Sequence, residues 1–575
     1  MRIFKGQSVS PGVATGRVYQ YKAFVRSVYE TYVQPGEEQA ALAAYSEAVR
    51  AVDAELVKIA GSFSSQDRDK AKIFEAHREI LADDEMDGDI RRAILQDRQA
   101  ADFAVDRVCT EYAALLGRVP DANIAARAAD IRDVRNRLLR VLHGEKEHNL
   151  SQLPDHSVVV AHDLLPSDTA TIDRGNVAAI VTEVGGATSH SAILARAFGI
   201  PAVLGVPDVT KALSDGEEVI VDALCGEVLA EPDGETVASR REKQAAYLAE
   251  RQEDRRYLTL PAVTKDGTAV EIGLNIGSET GWPEDESFTF VGLFRTEFLY
   301  MERDTLPSEE EQTAAYRRVL ERAKGRQVTL RTLDVGGDKT LPALPLPKEE
   351  NPFLGSRALR LCLNHRDLFL TQLRAALRAS VYGSLQIMFP MVGSLEDIRA
   401  GKAAVEEAKA QLAGKGVSFD PDIPIGIMVE IPSIAMLADE AAKECDFASA
   451  GTNDLCQYLF AADRMNPLTN EYYRTFSPAM FRILSAVFDA FRRANKPVSV
   501  CGEMAGNPEA ALVLLGLGLR KFSMNASAIP AVKRALRGIT LSEAETLASA
   551  VCAADTEAAV LECIRSVAAG RAERR

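Results

Sequence analysis

The chain has 575 residues, 47% apolar and 26% charged, which is ordinary folded composition and predicts about four domains. Its 67 Lys plus Arg stand against 83 Asp plus Glu, a formal charge of −16 that argues against a general nucleic-acid or anionic-membrane binder, since both would repel it. No apolar run is long enough to span a bilayer, and Met1-Arg2-Ile3-Phe4-Lys5-Gly6 lacks a signal-peptide core, so no membrane insertion is expected.

The eight cysteines are scattered, without a Cys-x-x-Cys, which points away from disulfide or zinc frameworks and toward a reducing cytoplasm.

The first twenty residues read as strand and turn, with Ser10-Pro11-Gly12 as the turn signal. From about Gly36 to Leu142 the pattern becomes helical. Tyr45, Val49, Val52, Leu56 and Ile59 form one apolar stripe, and further helices are predicted near 66–83, 86–97, 99–116 and 127–142. After His148, strands are predicted at 157–161 and 178–182, with a hairpin of 218–222 and 227–230 around Cys225-Gly226. The economical reading joins residues 1–20 and 145–230 in one α/β domain, with 21–144 inserted as a helical bundle and 231–259 as a polar helical linker.

Eight strand-like segments follow, at 271–276, 290–295, 328–334, 385–391, 425–430, 447–452, 498–503 and 521–524, with helical sequence in most gaps. This is the arithmetic of a (β/α)8 barrel over 260–575. The first gap, with Gly281-Trp282-Pro283, has little room for a helix.

Barrel active sites gather where strands end. Those ends carry Arg295, Arg331, Glu430, Asn453-Asp454 and Cys501. Glu430 and Asp454 suit a hard divalent cation such as Mg²⁺, and the two arginines suit a phosphate clamp. Singly, each has a blander explanation as a surface ion pair, a solvated carboxylate or a small core hydrophobe. Their coincidence at one barrel end outweighs those explanations. A second candidate is Gly185-Gly186-Ala187-Thr188-Ser189-His190, which turns from a strand into a helix. Thr188 or Ser189 can cap that helix, Ile193, Leu194 and Ala197 can face its core, and His190 lies in its first turn, where free amides favour an anion. There is no Walker-type phosphate loop.

The motifs Gly-Gly-x-Thr-Ser-His190-x-Ala-Ile, Gly-Leu-Phe-Arg295-Thr-Glu-Phe, Asp334-Val-Gly-Gly-Asp-Lys339, Lys348-Glu-Glu-Asn-Pro-Phe-Leu-Gly-Ser-Arg357, Gly451-Thr-Asn-Asp-Leu455 and Cys501-Gly-Glu-Met-Ala505 resemble enzyme I of the bacterial phosphoenolpyruvate:sugar phosphotransferase system, in order and spacing along essentially the whole chain. The resemblance implies autophosphorylation of His190 by phosphoenolpyruvate, release of pyruvate, and transfer to the histidine phosphocarrier HPr, the first step of sugar uptake. It implies Mg²⁺ on Glu430 and Asp454, substrate binding by Arg295, Arg331, Asn453, Asp454 and Arg464, and Cys501 as the acid that protonates the enolate. It also implies HPr docking on the bundle around Ile73-Phe-Glu-Ala-His77, and a homodimer through the barrel. A swinging histidine domain is expected to hinge near 143–148 and 230–260. The acidic lobe of Glu75, Asp83, Asp84 and Glu85 is expected to attract a basic carrier patch.

Two features depart from the family pattern. Residues 284–289 lack a glycine-rich lead-in, and Cys456 replaces a common threonine. The related dikinases and phosphoenolpyruvate synthases add a large nucleotide-grasping domain before the histidine domain, and no such domain is expected in the roughly 180 mostly helical residues ahead of His190. A phosphoenolpyruvate/pyruvate barrel lyase would leave His190 idle, and a non-catalytic regulator would be expected to lose the carboxylates or Cys501.

Overall fold

The computed structural model describes residues 1–21, 28–62, 68–117, 122–144, 150, 153–164, 172, 175–185, 190–277, 282–283, 287–300, 305–336, 341, 343–344, 346–347, 349–464 and 466–572. The chain forms two compact units, Met1–Glu250 and Arg251–Arg575.

In the first unit, β1 (Arg2–Lys5), β2 (Gln7–Ser10), β3 (Val13–Tyr21), β4 (Ser157–Ala161), β5 (Val177–Thr182), β6 (Ala202–Leu204), β7 (Glu218–Asp222) and β8 (Glu227–Ala230) build one sheet, in the order β1-β8-β7-β3-β4-β5-β6-β2. β3 pairs in parallel with β4, Val18 opposite Val158, so strands 136 or more positions apart in the chain lie side by side. Both faces of the sheet are buried. Val159 and Ala161 pack on one side and Val158 and Val160 on the other, which is why β4 reads as an unbroken apolar run. The hairpin at Cys225-Gly226 forms as predicted. Gly226 takes φ +73°, and a Cβ there would lie 2.4 Å from the carbonyl oxygen of Gly6. The short strand β6 has no counterpart in the sequence reading, because three residues carry too little periodicity.

Between β3 and β4 lie α1 (Glu38–Ser62), α2 (Arg68–Leu81), α3 (Asp84–Leu95), α4 (Ala101–Gly117) and α5 (Ala122–Leu142). Tyr45, Val52 and Leu56 of the predicted stripe are buried, and Val49 and Ile59 pack at its margin. Asp83 caps α3 by accepting the Met86 N–H at 2.8 Å. In the segment Ile73–His77, Phe74 and His77 are buried in the bundle core, with the His77 ring 3.3 Å from Asp130 and 3.7 Å from Asp133. Glu75 is exposed, and the Ile73 side chain lies outside the described residues. The polar linker is a helix, Gly234–Arg255, whose Arg240 and Lys243 both pair with the buried Asp222.

In the second unit, β9 (Glu271–Ile276), β10 (Phe290–Arg295), β11 (Val328–Arg331), β12 (Leu385–Phe389), β13 (Ile425–Val429), β14 (Phe447–Ala450), β15 (Val498–Val500) and β16 (Lys521–Met524) close a parallel barrel in sequence order. Five strands stop one to three residues short of the predicted ends, because the ladder ends at the rim and the chain turns there toward the next helix. Glu430 and Asn453 therefore stand just past their strands. Helices on the barrel's outside start with reciprocal caps at Ser308/Glu311, Ser394/Asp397 and Thr540/Glu543. No helix bridges β9 and β10 among the described residues. Trp282 and Phe288 stack edge to face at 5.7 Å in that gap, under Arg322 and Arg326, and supply the cover a helix would give. Among the described residues no helix is long and apolar enough to cross a membrane.

Candidate active site

The C-terminal rim of the barrel brings the predicted residues together. β10 delivers Arg295, β11 delivers Arg331, and the turn after β13 delivers Glu430. The helix Thr452–Phe460 after β14 carries Asn453 and Asp454, and Cys501 follows β15. Glycines make this density possible. A Cβ on Gly451 would lie 2.7 Å from a Glu430 carboxylate oxygen, and one on Gly502 would lie 2.0 Å from the Thr452 hydroxyl.

The rim is a buried lattice of charge. Arg331 donates to Glu297 and meets Asp334 at 2.9 Å. Arg357 donates to the other Asp334 oxygen at 2.9 Å and to the Tyr458 hydroxyl at 3.2 Å. Asp454 lies 3.6 Å from Arg357 and 3.7 Å from Arg464. Glu430, only 1% exposed, accepts the N–H of Met391 at 2.6 Å. Met391 holds the left-handed conformation, φ +55°, and so turns its amide onto that carboxylate at some backbone cost.

Glu297, Asp334, Arg357 and Tyr458 thus belong to the site, although sequence reasoning assigned them no role. For Arg357 the mark is in the backbone and not in the sequence. Gly336 at φ +105° packs so closely that a Cβ would come 2.6 Å from that of Arg357, and Ala358 also has positive φ, +52°. A glycine and a strained neighbour held against one arginine mark a backbone built around its position.

The electrostatics separate the groups. Burial alone would pull Arg331 toward neutrality, but Glu297, Asp334 and Glu430 outweigh it and hold the guanidinium charged. Arg357 is held the same way by Asp334, Asp454 and Glu430. Arg295 is lowered instead, by burial and by the like charge of Arg331, so an anionic ligand beside it would favour its charged form. Burial, Asp454 and Asp334 push Glu430 up to about 8, against the pull of Arg357 and Arg331. Burial also raises the Cys501 thiol and keeps it in the acid form, while Leu293, Met388, Met428 and Phe447 pack around it.

Asn453 is oriented by its partners. Its side-chain carbonyl accepts the Glu503 N–H at 3.0 Å, which leaves the amide NH₂ as a donor.

The carboxylates fit a divalent cation. Crowding of Glu430 with Asp454 is relieved by positive charge, and the buried Oδ1 of Asp454 has no hydrogen-bond donor among the described residues. No group of three or more potential ligands forms among those residues, so an ion here would rest on two carboxylates and complete its shell with water and substrate oxygens.

In the first unit, β5 leads to Gly185 at φ +103°, where a side chain would be strained. Glu183 anchors this strand end, accepting the Thr210 N–H at 3.0 Å and lying 2.6 Å from the His162 ring. His190 opens the helix His190–Phe198, whose Ala192, Leu194 and Ala195 are buried. Residues 186–189, including both candidate caps, and the side chains of His190, Ile193 and Ala197 lie outside the described residues.

Family models for PEP-utilising enzymes match the chain three times: the N-terminal model at 5–127, the mobile domain at 153–226 and the PEP-binding domain at 251–541. A phosphoenolpyruvate-protein phosphotransferase of Bacillus subtilis (strain 168) is 42% identical over 572 residues, covering 98% of this chain and 99% of the relative. Relatives of the same name from Priestia megaterium and Staphylococcus carnosus (strain TM300) are 45% and 42% identical. The first covers 87% of each chain, the second 97% of this chain and 98% of its own.

Proposed function

This chain belongs to the phosphoenolpyruvate-protein phosphotransferases, and from that membership we propose a division of labour among its residues. The enzyme takes a phosphoryl group from phosphoenolpyruvate and passes it to a protein. The neutral imidazole of His190 attacks phosphorus, so that an N–P bond forms as the bond from phosphorus to the enol oxygen breaks. Arg295, Arg331 and Arg464 bind the phosphate and carboxylate of the substrate, with the Asn453 amide donating alongside them. The enolate left behind takes a proton on carbon from the Cys501 thiol and departs as pyruvate. Arg331 and Arg295 stabilise the thiolate until solvent returns the proton. Glu430 and Asp454 hold Mg²⁺, which when bound supplies positive charge to the transferring phosphoryl group.

The observation that carries this reading is the placement of Arg331, Glu430, Asp454 and Cys501, all buried, at one barrel end. Charge neutralisation and positioning are what phosphoryl transfer asks of a protein.

The phosphoryl group then passes from His190 to a histidine of the phosphocarrier HPr. The exposed acidic face of Glu75, Asp83, Asp84 and Glu85 supports docking of a basic carrier on the bundle. Because one imidazole serves both the barrel rim and a separate carrier, the two units change their mutual placement during the cycle. A homodimer through the barrel is supported by Phe298, Leu354, Met436, Leu468 and Tyr472, large apolar side chains exposed on its βα loops. A cytoplasmic location is supported by eight free cysteines.

Incubation with phosphate-labelled phosphoenolpyruvate, with Mg²⁺ or with a chelator, tests the reading. Label on protein with equimolar pyruvate, lost on chelation, is expected. Labelling indifferent to the metal would contradict the assignment of Glu430 and Asp454.

A further inference from the structure

Behind the charged rim, between the barrel and its outer helices, lies a second polar layer that the reaction itself does not use. Gln372, on the helix Arg366–Ala379, is 1% exposed where an apolar residue is the rule. Its Oε1 accepts the Leu333 N–H at 2.8 Å, and its Nε2 donates to the Thr296 hydroxyl at 3.0 Å and to the Tyr316 hydroxyl at 3.3 Å. Thr296 then donates to the Arg331 carbonyl at 2.9 Å. Tyr316 and Tyr300 both donate to Gln312 Oε1, at 3.0 and 2.8 Å, and Gln312 Nε2 donates to the Pro307 carbonyl at 2.9 Å.

One arrangement of protons accounts for these bonds. Gln312 Oε1 receives two hydroxyls, so Tyr316 is left as an acceptor for Gln372. Thr296 gives its proton to Arg331, so it too must accept from Gln372. Both amide hydrogens of Gln372 are then used, and its carbonyl faces Leu333. A buried network of this kind loses the bonds around whichever member changes.

The rim hangs from its output. After a register shift between Val291 and Phe294, β10 and β11 pair Arg295 with Arg331, and beyond that point the ladder between them ends. Thr296 bridges the two strand ends there, next to Arg295 and Glu297, while Leu333 is next to Asp334. We propose that Gln372 is a positioning residue for the substrate: through Thr296 and the Leu333 amide it sets the spacing of Arg295 and Glu297 against Arg331 and Asp334. This rests on the reading of Arg295 and Arg331 as substrate ligands. Gln372 touches no substrate, so it acts on the affinity for phosphoenolpyruvate more than on the chemical step.

The test is steady-state kinetics of the full-length enzyme with phosphoenolpyruvate and Mg²⁺. Gln372→Met keeps length and removes every polar bond. A rise in KM of about tenfold with kcat held within about twofold is expected, since small displacements of binding groups are costly. Gln312→Met, at the far end of the same network, is expected to lower Tm comparably yet leave KM unchanged. If both variants lose KM and kcat together in proportion to Tm, the role is merely structural and the proposal fails. Thr296→Val decides the matter if Gln372→Met does not fold: a rise in KM of about threefold supports the proposal, and an unchanged KM overturns it. Arg331→Lys separates the two layers of argument. If it raises KM while Gln372→Met does not, only the positioning role falls; if Arg331→Lys leaves KM untouched, the assignment of the rim falls, and the inference with it.

Discussion

Two regions of this molecule are crowded with carboxylates, and they use them in opposite ways. At the barrel rim Glu297, Asp334, Glu430 and Asp454 are buried against Arg331 and Arg357. On the bundle Glu75, Asp83, Asp84 and Glu85 stand exposed. Buried charges interact strongly, are costly to leave unpaired and so hold one geometry. Exposed charges are screened by salt and hold no geometry, but they steer encounters. On the proposed reading, the rim serves chemistry on a small anion and the bundle face serves the encounter with a protein. Substitutions in the two regions should therefore differ in size and in kind.

The largest effect is expected at the rim. Arg331→Met removes the buried guanidinium that pairs with Glu297 and Asp334, which should cost about 3–5 kcal/mol of stability to denaturation. It should also lower kcat/KM for phosphoenolpyruvate by ~10³ or more in steady-state assays, since a charge clamp is lost. Next comes Cys501→Ala, which removes the proposed acid. Pyruvate release should slow by about 10²–10⁴ while stability changes little, a combination that stopped-flow pyruvate detection and thermal melts would establish.

On the bundle, the combined change of Asp83, Asp84 and Glu85 to their amides should alter only the encounter. The association rate with HPr should fall several-fold at low ionic strength and converge with wild type at high salt, while labelling by phosphoenolpyruvate stays intact. Asp83 also caps α3, but asparagine caps nearly as well. An unchanged salt slope would remove the bundle face from the docking account. The smallest effect is expected at Thr540→Ala, far from either region. Losing the Thr540/Glu543 box should cost about 1 kcal/mol in a denaturation curve and nothing in kcat.

The same contrast explains what could be read from sequence. The barrel was legible because eight apolar runs alternate with helical stretches, and the inserted bundle because the stripe from Tyr45 to Ile59 has helical period. Strand ends then nominated Arg295, Arg331, Glu430, Asp454 and Cys501, since the fold itself dictates where chemistry sits. Arg357, Asp334 and Tyr458 needed three dimensions. Arg357 meets Asp334 across 23 positions and Tyr458 across 101, and no local spacing encodes those contacts. The partners of His77 are hidden for a related reason: Asp130 and Asp133 lie on α5, more than fifty residues away.

The central claim is that a single imidazole carries the phosphoryl group between the barrel and another protein. Phosphopeptide mapping after incubation with labelled phosphoenolpyruvate, comparing wild type with His190→Ala, tests it most directly. The account predicts one acid-labile label on the peptide bearing His190 and none in the variant. Label on any other residue, or an equally labelled variant, would contradict it.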